Sequence, residues 1–168
     1  MLELGFLWSK YGVMLLSGLV GTMGFCIFFH VKKDKLIYGC IGGMISLLVY
    51  FFCIECGMND FFQNMFAAII ATLFAEIMAR VVKAPSTVFL IPAVIPLTPG
   101  SLLYYTMEAA VEGDAQMTKY YGQKTGMVAL GIALGIVLVS AIFYQMSHKD
   151  VEMKVKLGIE KRKGFETK

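Results

Sequence analysis

Two groups of residues in this chain have types and spacings that could do chemistry. The first is the run Pro92-Ala-Val-Ile-Pro96-Leu-Thr98-Pro99-Gly100-Ser101, set inside an apolar stretch from about Pro85 to Met107. Each proline removes a backbone donor, so the carbonyls of Val88, Pro92 and Ile95 lose the partner they would find four residues on. In hydrocarbon an unpaired carbonyl costs on the order of several kcal/mol, so such a break must face protein or a water-filled cavity. A helix can restart beyond it, with Thr98 as N-cap, Pro99 at the first helical position and the Ser101 hydroxyl in the first turn. Its free N–H groups and positive dipole end would then lie at mid-membrane, a site for an anion such as a solute carboxylate, as in the discontinuous helices of transporters. Pro96, Thr98, Pro99, Gly100 and Ser101 are therefore candidate binding residues, with Tyr104 one turn beyond Gly100. The plain alternative is a proline kink that only shapes packing.

The second group is a row at four-residue spacing, Asn64, Ala68, Thr72, Glu76 and Arg80, on one face of an otherwise Phe-, Ile-, Leu- and Met-rich helix. Glu76 falls about 6 Å inward of that span's centre at 1.5 Å per residue. A carboxyl at such depth is costly when charged and usually serves a pathway. Either Arg80, one turn away, holds it ionised as a structural pair, or desolvation lets it take up and release a proton during transport. Arg80 lies close enough to the membrane surface to snorkel, which leaves Glu76 free for coupling. Thr72, Glu76 and Arg80 are thus the candidate coupling residues.

Other chemistry finds little support. Cys53-Ile-Glu-Cys56 has CxxC spacing but no partner motif and no nearby His, so packing is the better account than metal or redox work. The spans hold no pair of buried carboxylates, no His beside a nucleophile and no metal-ligand cluster, which argues against an intramembrane enzyme. No catalytic residue, cofactor, metal or nucleic-acid partner is expected.

The elements that must position these residues are membrane spans. The chain has 168 residues, 58% hydrophobic and 16% charged, with a mean hydropathy of +0.70, where a soluble domain carries about a quarter charged residues. The expected fold class is all-α, a polytopic membrane protein of about five transmembrane helices with the fourth broken at Pro92–Gly100. The spans read as about 11–31, 36–56, 61–82, 85–107 and 122–146, forming one transmembrane domain over 1–146, followed by a charged tail over 147–168. The connection 108–123 is the long one. Small residues four apart (Ser17 and Gly21, Gly39 and Gly43, Gly42 and Ser46, Gly122 and Gly126, Gly131 and Gly135) mark close helix contacts.

Lys and Arg placement sets the orientation. With the N-terminus outside, five basic residues (Lys32, Lys33, Lys35, Arg80, Lys83) and seven in the tail fall inside, twelve of the fifteen in the chain. Lys10, Lys119 and Lys124 remain outside, beside Glu108, Glu112 and Asp114. An odd number of spans without an internal repeat reads as half of an inverted-repeat transporter, completed by another chain.

At the residue level, Ala75-Glu76-Ile-Met-Ala-Arg80, Lys83-Ala-Pro85, Phe89-Leu-Ile-Pro92 and Ile95-Pro96-Leu-Thr-Pro99-Gly100 followed by Tyr104 resemble the C-terminal half of the bacterial threonine/serine exporter family, in its free-standing small five-span form. The resemblance implies a bacterial inner-membrane subunit paired with a larger five-span subunit. It also implies proton-driven export of threonine and serine or, for some split pairs, of small dicarboxylates such as succinate. The competing expectation is a structural or assembly subunit whose partner does all the transport.

The charge count yields a direct test. In a variant cleared of its four native cysteines, a cysteine at Glu112 is expected to react with an impermeant thiol reagent added outside, and one at Lys161 to be protected. The reverse pattern would overturn the orientation.

Overall fold

The computed structural model describes the backbone of residues 2–166 and the side chains of 11–32 and 34–146. Every element among them is helical: α1 (Leu2–Phe28), α2 (Lys33–Glu55), α3 (Asp60–Val81), α4 (Thr87–Val94) continued by a 3-10 turn (Ile95–Leu97), α5 (Gly100–Glu112) and α6 (Ala115–Glu166). Four helices are long and apolar enough to cross a membrane, or five if the bent pair Thr87–Leu97 and Gly100–Glu112, at 51°, is one span. The protein is an all-α polytopic membrane protein with its fourth span broken.

The helices meet where side chains are smallest. α2 is central and touches α1, α3 and α4, while α6 packs along α3. A Cβ at Gly131 would stand 2.5 Å from the Phe61 carbonyl oxygen, and one at Gly135 would stand 2.6 Å from that of Met65. A Cβ at Gly43 would stand 2.6 Å from the Thr22 hydroxyl of α1, and Gly42 faces Phe74 and Ala93. Such close backbone approach replaces the hydrophobic effect, which lipid does not supply. Gly21 and Gly126, by contrast, face nothing within 4 Å, and Gly122 meets only Thr106 of α5. One end of the α1–α2 pair is tied by Tyr11, whose ring stacks on Phe51 at 4.4 Å and whose hydroxyl donates to Glu55 Oε1 at 2.7 Å.

Charged residues mark both ends of the α3–α6 pair. Lys124 pairs with Asp60 at the start of α3, 3.5 Å apart, and the Arg80 guanidinium lies 4.5 Å from the centroid of the Phe143 ring at the other end. Twenty residues of α3 separate Asp60 from Arg80, about 30 Å, which is the thickness of a hydrocarbon core.

The connection expected over 108–123 is instead helical. α5 runs to Glu112, Gly113 takes a left-handed φ of 78° as its C-cap, and the Asp114 carboxylate accepts the amides of Gln116 and Met117, each at 3.0 Å, opening α6. Glycine tolerates that φ and aspartate favours that cap, so two residues suffice for the turn. α6 therefore begins about nine residues before Lys124, and α5 and the first turns of α6 form a hairpin reaching beyond the start of α3. At its far end α6 runs on through the tail to Glu166.

The glycine seam carries a prediction. Gly135→Ala pushes a methyl onto the α3 backbone and should cost about 1–3 kcal/mol, the usual range for overpacking. Gly126→Ala, with open space around it, should cost nothing measurable. Thermal unfolding of the purified protein in detergent checks both; equal stability of the two variants would remove the seam from the packing argument.

Candidate functional site

The broken span is built from the inside of the bundle outward. Pro92 and Ala93 are buried against α2, with the Pro92 ring 3.5 Å from a Cβ placed at Gly39 and the Ala93 methyl 3.1 Å from one at Gly42. Phe89, fully buried, meets Tyr38 edge-on at 6.4 Å. The breaks in backbone pairing are met locally. The buried Ser46 hydroxyl lies 2.7 Å from the Ala93 carbonyl and 2.8 Å from that of Gly43, sharing one proton between them. The Ile95 carbonyl, orphaned by Pro99, accepts both the Thr98 amide at 3.1 Å and the Thr98 hydroxyl at 2.6 Å.

Thr98 is therefore not the N-cap of the restarted helix. Pro99 holds that position, α5 starts at Gly100, and no side chain caps it. The first bond of the α-helical type runs from the Leu103 amide to the Pro99 carbonyl at 3.0 Å, and Gly100 N–H turns back to Thr98 at 2.8 Å. That leaves the amides of Ser101 and Leu102 without a carbonyl among the described residues. Both residues line a cavity of about 380 Å³, at the small end of the range for ligand sites.

Pro96, Leu97, Thr98 and Pro99 form one wall of this cavity, Asp60 and Asn64 of α3 another, and Lys124 of α6 with Tyr50 of α2 the rest. Leu97 and Val128, which also line it, belong to a buried cluster with Ala67, Ala68 and Ile132. The cavity thus gathers two free backbone N–H groups, a lysine ammonium and a carboxylate in one place. Lys124 also lies 5.3 Å from the centroid of the Tyr120 ring, and Asn64 is pinned by a bond from Nδ2 to the Asp60 carbonyl at 2.8 Å.

Ala93 packs against Gly42 and Ser46, near the middle of α2, and the chain then turns toward the Asp60 end of the bundle before α5 starts at Gly100. The cavity accordingly borders the first two turns of α3.

The structure brings Pro96, Thr98, Pro99 and Ser101 to the cavity, with Gly100 in the same turn and open space around its Cα. Tyr104 lies elsewhere: it is 62% exposed on the α5–α6 hairpin and meets Tyr105 edge-on at 5.6 Å. The second group stays apart as well. Thr72 is fully buried and its hydroxyl donates to the Ala68 carbonyl at 2.7 Å, and Glu76 is half-buried twelve residues beyond Asn64, about 18 Å along α3. Arg80 turns to Phe143, and no ion pair joins it to Glu76 among the described residues.

Residues that sequence reasoning passed over complete the site. Lys124 reads as a flanking charge and Ser46 as a packing residue, while Asp60 falls just before the expected third span.

No solved structure matches the chain. The family model described as "Threonine/Serine exporter, ThrE" matches residues 14–142, a range that holds the proline break, Asp60, Glu76 and Lys124. The chain is accordingly a member of the threonine/serine exporter family.

Proposed function

We propose that this chain is one half of a two-component secondary transporter that exports small carboxylate-bearing solutes, threonine and serine or dicarboxylates such as succinate, across a bacterial inner membrane. One observation carries the reading: the unpaired amides of Ser101 and Leu102 open onto the same small cavity as Lys124. A carboxylate placed there meets two backbone donors, the positive end of α5 and an ammonium group, each of which favours an anion. The solute is bound and released unchanged, so the site needs donors and no nucleophile.

The remaining parts of the reading follow from topology and charge. A cavity bordered at one end of a five-span bundle needs a complementary surface to alternate between the two sides, and a larger five-span subunit inserted with opposite topology supplies it. The N-terminus lies outside and the tail in the cytoplasm, so the cavity faces outward and the Glu76 end inward. Glu76, without a cationic partner in reach among the described residues, takes up and releases the coupling proton. Thr72 and Arg80 flank it on the same row.

Reconstitution tests the core of this. In liposomes the chain alone is expected to move neither threonine nor succinate, and to move solute once the complementary subunit is present. Pro96→Ala with Pro99→Ala should let the helix run through, withdraw the two amides into internal bonds and abolish transport without loss of stability. Robust transport by the single chain would remove the half-transporter reading, and normal transport by the double variant would place the anion site elsewhere.

The coupling role is tested separately. Glu76→Gln should abolish net export driven by a proton gradient while leaving exchange of labelled solute largely intact, since exchange moves no net proton. Because Arg80 lies over Phe143, adding Arg80→Gln should not restore what Glu76→Gln loses. Full rescue in that double-mutant cycle would convert Glu76 into a structural partner.

A further inference from the structure

The Asp60–Lys124 pair stands between two cavities. Both residues line the cavity at the proline break, and both line a second one of about 560 Å³ formed by Met58, Asn59, Phe61, Phe62 and Met127. Their side chains are 41% and 40% exposed, and the nearest atoms are 3.5 Å apart. An exposed pair at that separation adds little to stability, commonly under about 1 kcal/mol, so the fold does not depend on this contact staying closed. The partners are also loosely held: at 3.5 Å the contact is longer than a charge-assisted hydrogen bond of about 2.8 Å.

We propose that Asp60 and Lys124 are the charge selector of the site: an incoming zwitterion replaces their mutual contact, its carboxylate taking Lys124 and its ammonium taking Asp60. The inference rests on the transport reading above and assigns the residues that choose between solutes. The geometry supports the exchange on both sides. Lys124 lines the same cavity as Ser101 and Leu102, whose amides have no carbonyl partner among the described residues. At the other end, the Asp60 carboxylate lines the same cavity as the buried Asn64, whose Nδ2 donates to the Asp60 backbone carbonyl. An α-amino acid satisfies both ends at once. A dicarboxylate satisfies Lys124 but sets its second carboxylate against Asp60, and like charges at contact distance are rejected.

The test is a selectivity ratio measured on the full two-subunit complex in liposomes, with L-threonine and succinate as probes. Asp60→Asn should lower the threonine-to-succinate transport ratio by at least about tenfold, since it removes both the partner of the threonine ammonium and the charge that repels the second carboxylate. Lys124→Gln should weaken both solutes alike, since both bring a carboxylate. An unchanged ratio in Asp60→Asn, or an equal loss of both solutes, would overturn the selector and make the pair a structural contact. If Asp60→Asn fails to accumulate in the membrane, Asp60→Glu decides: a longer carboxylate alters the distance to Lys124 and should shift the ratio at normal protein level, whereas an unchanged ratio overturns the proposal. Failure of the transport reading looks different, because wild-type complexes would then move neither probe.

Discussion

Everything in this bundle depends on how a membrane helix can be interrupted without leaving carbonyls bare in hydrocarbon. Three prolines within eight residues remove three donors from one span. The protein meets the resulting demand with hydroxyls: Ser46 reaches from α2 to Ala93, and Thr98 folds back on Ile95. Two carbonyls at the break, those of Ala93 and Ile95, are thereby covered, while the donors that follow, on Ser101 and Leu102, are not. Those open amides are the feature on which the proposed anion site rests.

That asymmetry constrains the packing around it. For Ser46 to reach Ala93, α2 and α4 must approach closely, and Gly39, Gly42 and Gly43 permit this against Pro92, Ala93, Phe74 and Thr22. For the open side to face a cavity rather than lipid, α3 and α6 must be held together behind Leu97, which Gly131 and Gly135 achieve by laying α6 on the α3 backbone. Small residues at these two seams therefore do more than let helices meet. They decide which face of the broken span is dry and which is wet.

The proline cluster, the glycine pairs at the seams and the number of spans were legible in the residues because each acts through a local rule: a missing donor, a missing Cβ, a length. What was not legible came from long-range geometry. Nothing near Asp60 or Lys124 in the chain shows that they face each other, since they are 64 residues apart and each reads as an ordinary boundary charge. Arg80 and Glu76, one turn apart, invited a pairing that the structure does not make, because the arginine finds an aromatic face on α6 instead. The hairpin of α5 and α6 was a different case. Its signals, Gly113 at a left-handed φ and Asp114 capping the next helix, were present in the sequence, and the polar character of 108–123 outweighed them.

The distance between the cavity and Glu76 limits the kinds of coupling open to the proposed exporter. With about 18 Å of α3 between Asn64 and Glu76, a proton on Glu76 cannot compete directly with a solute bound beside Lys124. Any exchange between them has to be mechanical and carried by α3 itself. The helix is suited to that: Ala67, Ala68, Ala71, Thr72 and Ala75 are buried and small along the intervening turns, so its neighbours grip backbone more than side chain. A helix held through a smooth face slides or tilts at lower cost than one locked by interdigitated Leu and Phe, because fewer rotamers must be rearranged. Protonation at one end of α3 and solute at the other would then bias the same rigid-body motion, which is the physical content that coupling between separated sites requires.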